Sequence, residues 1–409
     1  MGFVAIRLVS KHLSYWYLVL VCIGVVGSSA TGQTISWKRV ELDAKFRAEG
    51  VAAADVDRDG AVDILAGDVW YQAPDWTLHE IRKVGDYVPD KGYSQCFASF
   101  TYDVNRDGWQ DYLVIGFPGA PCHWYENPRQ QEKHWEEHLI CLDASNESPQ
   151  FRDLTGNGIP DLVLGSAGQM GFCSLPAHGM PLKRWQFVPV SDSSDPHANG
   201  SFKYYHGLGV GDLNRDGRND IIIPHGWYEA PQDRDRGTWT FHPMMLVRDG
   251  ETKPVTASDI HVCDLDLDGD QDILMSCAHQ YGIWWFENLG SSDHTRFQYH
   301  VISESFSQTH ALCLADVDGD GTSDLVTGKR FFAHNGGDPG GKDPVVMVWI
   351  EIARQHGKPP KFTVHEIDAG RDTGIGTQFQ VYDVTGDGLL DVVLANKKGV
   401  NLLVQHRRL

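Results

Sequence analysis

The residues best suited to chemistry are aspartates that recur at alternate positions before a glycine. Asp55, Asp57, Asp59 and Asp63 begin the series. The pattern returns at Asp103, Asn105, Asp107 and Asp111, at Asp153, Thr155, Asn157 and Asp161, and at Asp212, Asn214, Asp216 and Asp220. It continues at Asp264, Asp266, Asp268 and Asp272, at Asp316, Asp318, Asp320 and Asp324, and at Asp383, Thr385, Asp387 and Asp391. In Asp-x-[Asp/Asn/Thr]-x-[Asp/Asn]-Gly-x-x-Asp, side chains at positions 1, 3, 5 and 9 can converge oxygens on a hard cation. Position 7 can add a carbonyl, and Gly at position 6 permits the sharp turn, so the expected ion is structural calcium at up to seven sites. Turn formation alone would also favour Asp, Asn and Gly, but it does not require clusters of like charge. An EF-hand is excluded because position 12 is Ala66, Val114, Leu164, Ile223, Met275, Thr327 or Leu394 and never the bidentate Glu. The copy opening at Asp153 carries the fewest acids and is the weakest expected site.

Histidine supplies a second chemistry. Of 19 histidines, His79, His138, His242, His300 and His365 share one position three residues after an aromatic and read as structural repeat positions. His206 and His310 each stand six residues before the first Asp of a loop, and His225, His279 and His334 follow apolar strand runs. Topology sends these, with Lys329, Arg330, Tyr204, Tyr205, His261, Gln308, Gln378, Lys203, Asp259 and Glu49, to the face opposite the calcium loops. Histidine titrates near neutrality and suits general acid–base work. His206, His310, His225, His334, Lys329, Arg330 and Tyr205 are therefore the catalytic candidates. Tyr204, His261, His279, Gln308 and Gln378 are the candidates for substrate binding, and a further divalent metal at the His cluster is a possible cofactor. The insertion from Lys329 to Pro344 lengthens one loop at this face.

What must position these residues is a repeat. Each loop is followed by a short apolar strand, such as Ile64-Leu65-Ala66, then by an aromatic third strand, such as Trp124-Tyr125-Glu126, and a fourth, such as Trp135 to Ile140. The last repeat ends after its third strand, and Trp37 to Leu42 supplies the missing fourth. The expected fold is all-β, a seven-bladed β-propeller with four-stranded blades and an N-terminal strand closing the last blade. Residues 31–409 then form one domain. Arg7 and Lys11 precede an apolar run from Leu13 to Val26, and Ser28 and Ala30 suit a signal peptidase, so residues 1–30 read as a cleaved signal peptide. That run is shorter than the ~20 residues of a membrane span, and a secreted or periplasmic location without a membrane span is expected. The 55 acidic against 35 basic residues, a formal charge of −20, exclude nucleic acid as a partner and fit a chain that neutralises itself with calcium. The cysteines show no spacing of a disulfide framework or zinc site and read as core hydrophobes.

On these loops the sequence resembles the FG-GAP or VCBS-type repeat family, as in integrin α-subunit propellers, over about residues 37–409. That resemblance implies fold and calcium. Narrower stretches, Tyr205-His206-Gly207-Leu208-Gly209-Val210-Gly211-Asp212, Pro224-His225-Gly226-Trp227 and Thr327 to His334, are similar to the propeller of fungal aldos-2-ulose dehydratase, a sugar lyase. This sequence departs from that enzyme by lacking its cupin-like C-terminal domains, so an isomerase step is not expected. The resemblance implies a carbon–oxygen lyase on an oxidised sugar, in which a histidine removes a proton α to a carbonyl. Which histidine is acid and which is base stays open. The alternative is a non-enzymatic adhesion propeller that binds carbohydrate or an extracellular protein.

Overall fold

Residues that follow each loop aspartate are apolar and β-branched, and they form strands buried on both faces. Asp63–Ala66, Asp111–Ile115, Asp161–Ser166 and Asp391–Asn396 are buried throughout. The computed structural model describes residues 34–176, 182, 185–234, 236–290, 296–368 and 372–408; the expected signal peptide lies outside them. Among the described residues no helix is long and apolar enough to cross a membrane.

The first blade shows the unit. Ala52–Ala54, Asp63–Ala66, Val69–Gln72 and Thr77–Glu80 pair antiparallel in chain order. The innermost strand is made of alanines because inner strands crowd at the axis. Outward, Trp70 stacks on His79 with ring centroids 4.4 Å apart, and the same pairing joins Trp124 to His138, Trp227 to His242, Trp285 to His300 and Trp349 to His365.

The fold is an all-β propeller, but the expected blade count is corrected. There are five four-stranded blades, and Leu208 to Ser307 forms one eight-stranded sheet. Within it Leu208–Gly211 runs parallel to Ala257–Cys263, with Leu208 opposite Asp259 and Gly209 opposite Ile260. The cause is local. A Cβ on Gly209 would stand 2.5 Å from the Ile260 carbonyl oxygen, and one on Gly211 would stand 2.7 Å from the Val262 Cβ. Two glycines therefore let one inner strand approach its neighbour to pairing distance, which the repeat period does not reveal.

Thr34–Asp43 pairs antiparallel with Gly399–Arg408, from Thr34 opposite Arg408 to Asp43 opposite Val400. The N-terminal strand thus lies outermost on the last sheet. One apolar cluster continues from Ile64, Leu65 and Tyr71 through Val392, Leu394 and Leu402 to Val326 and Trp349, so the closing sheet packs against both neighbours.

In the aspartate loops Gly60, at position 6, has φ of 92°, a region open to glycine at little cost. The last aspartate of each loop is buried and fastens it to the blade. Asp63 accepts the Val56 N–H at 3.0 Å and the Ala73 N–H at 2.9 Å, and Asp272 accepts those of Leu265 at 3.0 Å and Asn288 at 2.8 Å. Burial pushes both carboxyls up to about 7.

Candidate functional site

Glu147, His206 and His310 meet at one end of the inner strands. Each stands six residues before a loop's first aspartate, and the repeat register delivers all three to the same level. Glu147 Oε2 lies 3.3 Å from His206 Nε2 and 3.5 Å from His310 Nε2. All three residues are buried.

Neighbouring groups fix how the rings face. His206 Nδ1 lies 2.9 Å from the Tyr204 carbonyl oxygen, which fits an N–H donor. His279 Nδ1 lies 3.2 Å from Asp338 Oδ2, again as a donor. The remaining nitrogens, His206 Nε2 and His279 Nε2, stand 3.0 Å apart. His206 Nε2 thus faces both the His279 ring and the Glu147 carboxylate, and with both Nδ1 atoms donating, a proton or a cation is needed between the two rings. His310 contributes a buried ring whose Nδ1 and Nε2 have no hydrogen-bond partner. Burial, with the charge of Arg330, lowers His310 to about 3, so its ring is neutral. Burial alone would raise Glu147, yet the adjacent His206 and His310 rings hold it below the usual carboxylate range.

The insertion after Lys329 builds a second tier. Asp338 joins His279 to His334, whose Nδ1 lies 3.0 Å from Asp338 Oδ1, and the two rings stack at 4.7 Å. Phe332, His334 and Asn335 have φ of 55°, 45° and 55°, left-handed backbone that non-glycine residues seldom adopt. His334 is half-exposed beside the cavity. Gln308 donates to Asp338 at 2.9 Å and accepts from Lys329 Nζ at 3.0 Å. Arg330 lies deeper, its Nη2 2.8 Å from Glu49 Oε2.

Above these groups opens a cavity of about 440 Å³ lined by Glu147, His206, His279, His334, Thr256 and the rings of Tyr93, Phe97, Phe117 and Tyr204. A polar floor under an aromatic wall is the usual form of a small-ligand site. A wider cleft of about 830 Å³ lies away from it, between Trp70, His79 and Trp135 at the outer strands.

Several candidates sit elsewhere. Tyr205 hydrogen-bonds His225, and neither lines the cavity. His261 Nε2 lies 3.3 Å from the Leu312 carbonyl oxygen, and Gln378 Oε1 accepts the Val51 N–H at 2.9 Å. Sequence reasoning missed Glu147, Asp338 and the rings of Tyr93, Phe97 and Phe117. Glu147 was within reach, since it occupies in the third repeat the position of His206 and His310. Asp338 has no such signal because it lies inside the insertion.

The fold is an all-β propeller built on aspartate loops. The FG-GAP-like repeat model matches it over residues 103–164 and 237–327. Human cartilage acidic protein 1 is 20% identical over 385 residues, which cover 85% of this chain and 56% of the relative. The Xenopus tropicalis protein of that name is 21% identical over 387 residues, covering 85% and 57%. The chain thus spans little more than half the length of these relatives. Among solved structures, an Agrocybe aegerita lectin that recognises non-reducing terminal N-acetylglucosamine superposes with TM-score 0.44 at 16% identity, over 92% of this chain and 86% of the lectin. Bacillus licheniformis rhamnogalacturonan lyase superposes with TM-score 0.43 at 13% identity, over 90% and 75%.

Proposed function

We propose that the floor of this cavity is a divalent transition-metal site serving carbon–oxygen lyase chemistry on a keto-sugar, in an exported propeller stiffened by calcium. The observation that carries this reading is that His206 Nε2 stands 3.0 Å from His279 Nε2 and 3.3 Å from the Glu147 carboxylate, beside an unpartnered His310. Neutral imidazoles with one carboxylate suit zinc or a similar ion. Glu147, His206, His310 and His279 would hold it, and Asp338 would orient His279 as carboxylates commonly orient ligating histidines.

A cation bound there supplies Lewis-acid polarisation of the substrate carbonyl. The chain's own groups would do the rest. The Tyr93, Phe97, Phe117 and Tyr204 rings would pack against the apolar face of a sugar and exclude water. His334, held through Nδ1 by Asp338, keeps Nε2 for the proton α to the carbonyl. This assignment replaces His206 and His310 as the base, since both are buried among the ligand set. A purely carbohydrate-binding role is favoured by the same aromatic wall and differs in leaving the sugar unchanged.

The loops are read as calcium sites because their donors converge and some lack partners. Asp264 Oδ1 and Asp316 Oδ1 are buried without a hydrogen bond, and Asp264, Asp266 and Asp272 bring one ligand atom each to within 4.8 Å of one another. Export rests on the leader-like segment from Arg7 to Ala30.

The test is cobalt substitution together with ultraviolet assay against 1,5-anhydrofructose and glucosone. One Co²⁺ with a d–d spectrum, lost in the H206A/H310A variant, and a conjugated-enone band in the wild type alone are expected. A Co²⁺ spectrum that survives the double substitution would sink the metal site. Binding of the sugars without an enone band would favour the carbohydrate-binding role.

A further inference from the structure

Three cysteines meet where the second blade packs on the third. Cys122 opens the strand Cys122–Glu126, Cys141 ends the strand Glu136–Cys141, and the two face each other in register. Their Sγ atoms are 2.8 Å apart, inside the ~3.5–4.0 Å at which non-bonded heavy atoms settle. Cys173, on Gln169–Ser174 of the next sheet, hydrogen-bonds Cys141. All three are buried in one apolar cluster.

Their place in the chain gives the pair a consequence. Cys122 follows the turn that carries Phe117 into the cavity wall, and Cys141 leads into the segment that delivers Glu147. The same segments already meet through backbone, Gly119 N–H to the Ala144 carbonyl at 2.6 Å and Ala144 N–H to the Ala120 carbonyl at 2.9 Å.

We propose that Cys122 and Cys141 form a disulfide, an oxidation site that ties the Phe117 turn to the strand bearing Glu147. Both residues lie in the core, as the sequence suggests for most of the cysteines, and the bridge would be an addition to that role. Spacing could not reveal it, because register across two strands brings the residues together. The oxidant is a disulfide of the glutathione class. The Cys141 thiolate attacks one glutathione sulfur and releases a glutathione thiolate; Cys122 then attacks the mixed disulfide at Cys141 and releases the second. Two S–H bonds are lost, one S–S bond forms, and both protons pass to the departing thiolates. Hydrogen bonds from Cys122 and Cys173 hold Cys141 below the usual thiol range, which suits it to attack first.

The test uses the full chain secreted into the bacterial periplasm, alkylated in denaturant before any reduction, then digested and mass-mapped. A Cys122–Cys141 linked peptide, two hydrogens lighter than its parts and released by reductant, is expected. The oxidised protein should melt roughly 3–6 °C above the reduced form, and C173S should retain the link. Alkylation of both Cys122 and Cys141 would overturn the proposal, as would a Cys141–Cys173 link in their place.

Discussion

Replacing Arg330 with Met separates a structural role from a catalytic one. The Arg330 guanidinium is 2.8 Å from the Glu49 carboxylate, with the side chains 3% and 2% exposed. At that distance the attraction is about 6 kcal/mol for an effective dielectric of ~20, and desolvation of two ions offsets most of it. Burial still pushes Glu49 above the usual carboxylate range, despite the nearby charges of Arg330 and Lys397. Met keeps much of the stem volume but strands the carboxylate, a loss of about 3–5 kcal/mol. At ~1–1.5 °C per kcal/mol for a domain of this length, the melting temperature should fall by roughly 3–8 °C. The pH dependence has a definite sign. An acid whose folded pKa is raised binds its proton more tightly in the folded state, so stability is present at low pH and lost as pH rises. The cost of R330M should therefore grow from about pH 5 to about pH 8, while E49Q/R330M should recover most of the loss and stay flat. Thermal melts of the double-mutant cycle at both pH values are the assay. If R330M melts within about 2 °C of wild type at pH 8, or E49Q fails to rescue it, the structural role is refuted.

Three further outcomes follow from the fold. Exhaustive chelation should lower the melting temperature by on the order of 10 °C, since each calcium site held at a hundred times its Kd contributes ~2.7 kcal/mol; an unchanged calorimetric melt would count against calcium in the loops. Gly209→Val places a Cβ 2.5 Å from the Ile260 carbonyl oxygen and should cost about 1–3 kcal/mol, with faster amide exchange in Leu208–Gly211. Unaltered exchange would show that the parallel pairing does not depend on that glycine. Deleting residues 34–43 should expose Gly399–Arg408 as an open edge and drive association; a monodisperse, fully stable truncation by light scattering would show that this strand is dispensable.

What was legible in the sequence was whatever the repeat wrote more than once. Asp55 to Asp63 and its copies announced loops between strands, and Trp37 to Leu42 matched the fourth-strand pattern that the last repeat lacked. Blade count escaped the period, because whether neighbouring inner strands hydrogen-bond depends on Gly209 and Gly211, where two absent Cβ atoms decide the matter. The cavity escaped in part for a different reason. Asp338 sits in an insertion with no counterpart, and Tyr93 and Phe117 reach the wall from loops whose path is a tertiary outcome. Glu147, in contrast, was encoded by register. The position six before each loop reads Glu49, Phe97, Glu147, His206, Ser258, His310 and Thr377, so one structural site, repeated around the axis, carries seven aligned side chains. A propeller needs that position only to fill the space near its axis. Varying it from copy to copy leaves the blades intact and changes the cavity, so the aspartate loops can stay alike while this ring gathers two buried histidines and a carboxylate together with a buried ion pair.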